Sequence, residues 1–235
     1  MSVDSPSVLE PDSAGIDGAV ALLAAGEIIA APTDTVYGIA ARLDRPEALK
    51  RLFHAKGRPR AKAIPILLGD AVAVTKLSSD PAALEALAAA FWPGPLTLLV
   101  PKADHVLSAV TGNRNTVGVR VPAHAMTTEL LARFGGGLAA PSANRFGRVS
   151  PTTAEHVRAD LGELVDYVLD GGACPVGVES TIVDCTVEPP QILRPGGISP
   201  DEISELLGAA LADVDGPSRS PGMLAAHYSP SARVL

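Results

Sequence analysis

Short apolar runs alternate with amphipathic helical stretches along nearly the whole chain, and this alternation restricts the fold more than any other feature. A strand with an apolar face and a helix with an apolar stripe must each bury it against another element, so interleaving them calls for an α/β layer architecture. Helical spacing predicts helices at 16–25, 46–55, 81–91, 126–134, 153–161 and 201–211. Pro46 suits a first helical turn, Asp80 can cap the helix after it, and Trp92-Pro93-Gly94-Pro95 must end that helix. Gly135 to Gly137 close the helix at 126–134. Strands are expected at 27–31, 64–68, 96–100, 117–121, 138–141, 165–170, 181–184 and 191–193. The last three follow one another without helices between them, which points to a mixed sheet. A single domain is expected over 14–211, with 1–13 as a frayed acidic tail and 212–235 as a linker rich in Asp, Gly, Pro and Ser.

With 235 residues and 47% hydrophobic content, the chain can bury a sizeable core. No apolar run reaches the ~18 residues of a membrane-spanning helix. The N-terminus lacks the basic start and apolar stretch of a signal peptide, so a cytoplasmic location is expected. Cys174 and Cys185 have no CxxC spacing and no histidine cluster nearby, which argues against zinc; a reducing compartment suits two unpaired buried thiols. A net charge of −7 argues against a general nucleic-acid coat, and 3% aromatic residues make a poor base-stacking platform. The charge is unevenly spread: residues 42–62 carry eight basic side chains against two acidic ones. A basic patch in an acidic chain suits a small anion better than a long polyanion.

Several common signatures are missing, among them GxxxxGK[ST], HExxH and G-x-S-x-G. Gly135 to Ala140 imitates G-x-G-x-x-A, but it follows a helix and precedes a strand, the wrong order for a dinucleotide fold. Five polar clusters remain. Pro32 to Gly38 follows a strand and reads either as a capped turn or as a hydroxyl-bearing loop at a strand's carboxyl end, where α/β sheets hold ligands. Lys56 to Lys62 holds four cations in seven residues, costly to keep together without an anion. In 116–122, strand alternation puts Thr116, Gly118 and Arg120 on one side. A buried arginine needs a partner, and a substrate carboxylate is one candidate. Ala140 to Thr152 runs from a strand end into a helix, where Thr152 and Glu155 can form a capping box. Glu179 to Asp184 starts a strand with hydroxyls, and Arg194 ends the next. Recurrence of such groups at strand ends favours a single cleft for an anion.

These segments, in this order, resemble the YrdC-like threonylcarbamoyladenylate synthases. The motifs PTDTVYG, KGRP, FWPGPLTLL, VGVRVP, PSAN with a downstream SPT, ESTIVD and LRPGG are jointly specific, and the resemblance runs from about Ala14 to Ala210. Ser220 to Met223 and His227 to Pro230 resemble the linker of two-domain members. The resemblance implies a twisted mixed sheet with a deep basic cleft. It implies a nucleotidyltransferase that joins L-threonine, bicarbonate and ATP into threonylcarbamoyl-AMP and pyrophosphate, for tRNA N6-threonylcarbamoyladenosine formation. By motif position, Thr35, Arg120, Ala140 and Ser180 hold threonine. Arg58, Lys62, Thr116, Ser142, Ser150, Arg194 and Tyr228 hold ATP; Lys56, Arg58 and Arg194 neutralise the reacting phosphates. Mg²⁺ rides on the phosphates, and the product passes to the tRNA-modifying machinery, with a weak tRNA contact and no membrane partner. Two departures stand out: many relatives carry Asn at Lys62 and His at Leu67. Two rival readings are a structured-RNA binding module and a carbamoyl-transfer domain of the hydrogenase-maturation kind. The charge and low aromatic content weigh against the first, and the lack of acylphosphatase and cysteine-rich zinc segments against the second.

Overall fold

The computed structural model describes residues 7–80, 82–208 and 210–211. Its strands are β1 (Ser7–Leu9), β2 (Ile29–Ala31), β3 (Gly38–Arg42), β4 (Ile66–Leu67), β5 (Leu96–Pro101), β6 (Thr116–Arg120), β7 (Leu138–Ala139), β8 (Tyr167–Leu169), β9 (Thr181–Asp184) and β10 (Gln191–Arg194). The helices are α1 (Ser13–Ala25), α2 (Pro46–Lys56), α3 (Glu85–Phe91), α4 (Ser108–Thr111), α5 (Ala125–Phe134), α6 (Ala154–Leu161) and α7 (Pro200–Leu207). The strands form one unclosed sheet in the order β1-β8-β2-β3-β7-β4-β6-β5-β9-β10. β4 pairs parallel with β6, and β5 parallel with β9, while β5 and β6 run antiparallel. The sheet is therefore mixed, as the helix-free run near its end implied.

Period-two alternation divides the buried side chains between the two faces. Ala30, Ile39, Ile66, Leu98, Val119 and Val183 belong to the larger core, together with Leu49, Leu52 and Phe53 of α2. Ile29, Ala31, Ala40, Leu67 and Leu138 face the other way and join Leu23 of α1 and Leu130 and Leu131 of α5. Burying such a side chain contributes about 1.5–3 kcal/mol, so α1 and α5 are held firmly to that second face. Their cover stops at β4. Farther along, the same face of β6, β5 and β9 carries Gly118, Arg120, Thr97, Leu99 and Ile182, and these line a cavity. The site is thus the stretch of one sheet face that the helices leave uncovered.

Most elements lie where the pattern put them, with shifted ends. The expected 81–91 helix begins as a 3₁₀ turn over Ala82–Leu84 that continues into α3. The Asp80 carboxylate accepts from the Ala82 amide at 3.3 Å; Pro81 lies outside the described residues. Gly135 ends α5 in the left-handed region at φ 71°, a conformation that glycine adopts at no steric cost. The helix expected at 201–211 stops at Gly208, whose φ is 62°.

Three expectations need correction. Part of the stretch read as a frayed tail is structured: Ser7–Leu9 pairs in parallel with Tyr167–Leu169 at the sheet edge, because its backbone finds a strand with open hydrogen-bonding groups. β3 was missed, since the run Gly38-Ile39-Ala40-Ala41 is too small and uniform to read as a strand alone. The cap of α6 is Thr153, whose hydroxyl accepts from the His156 amide at 3.3 Å, not Thr152. The proposed linker at 212–235 lies outside the described residues, as does residues 1–6 of the tail.

Candidate active site

Strand ends from across the sheet meet around a cavity of about 90 Å³. The turn after β2 supplies Thr33 and Thr35, the end of β6 supplies Arg120, and the loop after β7 supplies Ala140 and Ser142. Glu179 and Ser180 arrive just before β9, and Arg194 closes β10. Every residue assigned to threonine by motif position (Thr35, Arg120, Ala140 and Ser180) lines this cavity, and so do Ser142 and Arg194 of the nucleotide group. Leu67 forms part of the apolar wall.

The Arg120 guanidinium is buried among protein partners. Nη2 donates to Asp34 Oδ1 at 2.5 Å, Nη1 to Thr35 Oγ1 at 2.8 Å and Nε to the Gly94 carbonyl at 3.0 Å. The expected acidic partner is therefore Asp34, which belongs to the protein itself. Burial lowers the Arg120 pKa, and the Asp34 charge opposes that shift. The Thr33 hydroxyl donates to the Val36 carbonyl at 2.6 Å, so Thr35 must donate in the Thr33–Thr35 pair at 2.9 Å. A hydroxyl has one proton and two lone pairs. With Arg120 donating to it and its own proton spent on Thr33, Thr35 Oγ1 can offer a ligand only acceptor capacity.

On the opposite wall, Arg194 donates through Nε and Nη2 to the Ser180 carbonyl, at 3.1 and 2.8 Å, and through Nη2 to Ser180 Oγ at 3.1 Å. Its Nη1 binds Glu179, whose other oxygen accepts from Ser150 Oγ at 2.7 Å. Ser180 Oγ also pairs with Thr97 Oγ1 at 2.8 Å.

The remaining nucleotide-assigned residues stand back from the cavity wall. Lys56 is buried, and its ammonium donates to the carbonyls of Ser142 and Asn144. It thus grips the 142–144 loop from behind. Burial, then the neighbouring Arg58 charge, pulls the Lys56 pKa down to about 7. Arg58 donates to the Ala63 carbonyl at 2.6 Å and lies over the Phe146 ring, 5.7 Å from its centroid. Burial brings its pKa down to about 10 while Glu179 pulls the other way. Glu179 and Arg194 both act on Arg58 electrostatically, so this group forms one charge cluster. Lys62 is half-buried outside the lining, and Thr116 begins β6, roughly 13 Å along the strand from Arg120. Tyr228 lies outside the described residues.

Asp34, Thr97 and Glu179 were not assigned roles from the sequence, although each stands within or beside a quoted motif. One signal was available for Asp34: an arginine in a buried strand requires a buried acid. Cys174 and Cys185 are both free and buried, as expected for unpaired thiols.

The profile of the Sua5/YciO/YrdC family, described as "Telomere recombination", matches residues 21–196. The chain belongs to this family. Its similarity extends to a Pyrococcus abyssi protein named "Threonylcarbamoyl-AMP synthase", at 41% identity over 217 residues, covering 89% of this chain and 64% of that relative. A Bacillus subtilis family member of the same name is 38% identical over 237 residues, covering 98% of this chain and 68% of its own. The chain thus spans about two thirds of the length of these relatives. Among solved family structures, "P. abyssi Sua5 complexed with L-threonine" superposes with a TM-score of 0.89 at 38% identity, over 97% of this chain and 70% of that one. Among the described residues, no helix is long and apolar enough to cross a membrane.

Proposed function

We propose that the chain is a threonylcarbamoyl-AMP synthase, joining L-threonine, bicarbonate and ATP into threonylcarbamoyl-AMP and pyrophosphate for tRNA modification in the cytoplasm. The observation that carries this reading is the meeting of Thr35, Arg120, Ala140, Ser142, Ser180 and Arg194, scattered from β2 to β10, around one cavity. The names of the similar P. abyssi and B. subtilis proteins, and the L-threonine complex of the former, support it.

In this reading the threonine carboxylate meets the Arg120 N–H groups not engaged by Asp34, Thr35 and Gly94. Asp34 already balances that charge, so Arg120 orients the carboxylate more than it attracts it. Thr35 Oγ1, restricted to accepting, faces the amine. The amine nitrogen attacks bicarbonate-derived CO₂ and loses a proton, giving an N-carboxylate. One oxygen of that carboxylate attacks the α-phosphorus of ATP; the α–β bridging bond breaks and pyrophosphate leaves. Two anions must approach each other, and Arg194, with Arg58 and with Lys56 behind the 142–144 loop, supplies fixed positive charge there. Mg²⁺ would neutralise phosphate charge. In this reading the ion is carried by the nucleotide's phosphates rather than by a cage of protein carboxylates.

The test supplies labelled ATP and Mg²⁺, with threonine and bicarbonate added singly and together. The reading expects pyrophosphate release only when both are present. Equal release without them, or none with both, refutes it.

A further inference from the structure

Glu179 is an acidic residue in the wall of the cavity, seated where an anion would be expected. Its carboxylate accepts a hydrogen bond from the Ser150 hydroxyl at 2.7 Å on one oxygen and from the Arg194 guanidinium on the other. These donors come from different segments, the loop before α6 and the end of β10. Together they form the two-point grip that a phosphate's oxygens would also take. The pair is largely desolvated, with side-chain exposures of 10% for Arg194 and 12% for Glu179. The surroundings are cationic beyond this pair: Arg58 feels Arg194 and Arg114 as like charges, and Lys56 feels Arg58. Lys56 feels Asp160 as well as Glu179 as opposite charges, while Glu179 is the carboxylate that acts on both Lys56 and Arg58.

We propose that Glu179 is an internal stand-in for a phosphoryl group: it occupies Ser150 and Arg194 when no polyphosphate is bound, and must yield them when one binds. The inference rests on the synthase reading for the identity of the polyphosphate, but the exchange itself requires only an anion with phosphate geometry. A carboxylate tethered beside the site competes with every phosphate that enters. It therefore weakens retention of the pyrophosphate product as well as of the nucleotide. Its charge gives the site a returning counter-ion, so that Arg194 is never left buried and unpaired after product departure.

The test is calorimetric binding of pyrophosphate, in EDTA and separately with Mg²⁺, to the wild type, Glu179→Gln and Glu179→Asp. Glu179→Gln is expected to bind pyrophosphate about tenfold more tightly, the effect of removing one competing charge from beside a largely desolvated guanidinium. Glu179→Asp keeps that charge and should stay near the wild type. Unchanged pyrophosphate affinity in a folded Glu179→Gln variant overturns the proposal. So does weaker affinity confined to Mg²⁺, which would make the carboxylate a metal ligand. If Glu179→Gln does not fold, the wild type decides: a pyrophosphate-bound structure must show the carboxylate withdrawn from Arg194 and Ser150. The synthase reading is judged apart from this. Turnover needing threonine and bicarbonate, without the affinity gain, sinks only the stand-in; the gain without such turnover sinks only the synthase.

Discussion

Replacing Asp34 with alanine tests whether the Arg120 guanidinium depends on its internal partner. Both side chains are 6% exposed and meet at 2.5 Å. Asp34 Oδ1 also accepts from the Ala123 amide at 3.0 Å, so alanine strands a buried cation and a backbone donor together. Breaking a buried ion pair from one side typically costs about 3–5 kcal/mol, because the remaining charge stays desolvated. Against a total stability of about 5–15 kcal/mol, that is a large share. With a urea m-value near 2–3 kcal/mol/M, the unfolding midpoint should fall by about 1–2.5 M. Asp34→Asn keeps an acceptor but loses the charge and should fall between alanine and the wild type. The double variant Asp34→Ala/Arg120→Met removes both charges, so its loss should be smaller than the sum of the single losses by about 1–3 kcal/mol. The assay is equilibrium urea unfolding of the wild type, Asp34→Ala, Asp34→Asn, Arg120→Met and the double variant, followed by circular dichroism. A loss below about 1 kcal/mol for Asp34→Ala, or additivity within about 0.5 kcal/mol, would refute the pairing argument.

Arg58→Ala should lower threonine- and bicarbonate-dependent pyrophosphate release about 10²- to 10³-fold with the far-ultraviolet spectrum unchanged, since among the described residues the guanidinium's hydrogen bonds go to the loop carbonyls of Lys62 and Ala63. Turnover close to the wild type would remove Arg58 from the site. Lys56 predicts a pH dependence of stability. Its folded pKa, about 7, lies below the ordinary 10.5, so the burial penalty is full below pH 7, where both states are protonated. As pH rises above 7, the native amine loses its proton while the unfolded one keeps it, and stability climbs. Unfolding free energies from urea titrations between pH 7 and 9 should rise for the wild type, relative to Lys56→Met, by at most about 1.4 kcal/mol per pH unit. Hydrogen bonds to the Ser142 and Asn144 carbonyls favour the ammonium and reduce that slope. A falling difference would contradict the assignment.

Local patterns foretold the helices α2 and α5 well because each carries its own punctuation: Pro46 and Gly135 act within a few residues of the element they begin or end. α1 begins three residues earlier than its apolar spacing implied, because its cap, Asp12, reads as part of the acidic tail. The face shared by Thr116, Gly118 and Arg120 was equally readable, since strand alternation is a two-residue rule. Strand order has no such local origin. β4 lies between β7 and β6, neither of them its neighbour in sequence, because a two-residue strand is placed by what packs around it. The acids of the site depend on that order. Asp34 meets Arg120 across 86 residues, and it does so only after the turn following β2 has been carried alongside the end of β6. Seen alone, Thr33-Asp34-Thr35 reads as a capped turn. Glu179 shows the same ambiguity from the other side: its neighbours Ser180 and Thr181 read as ligand groups, while an acid beside them reads as surface. Hydroxyls and cations announce an anion site because their types match its chemistry. A carboxylate at such a site contradicts the pattern until the guanidinium it neutralises has been located, and that location is a property of the sheet.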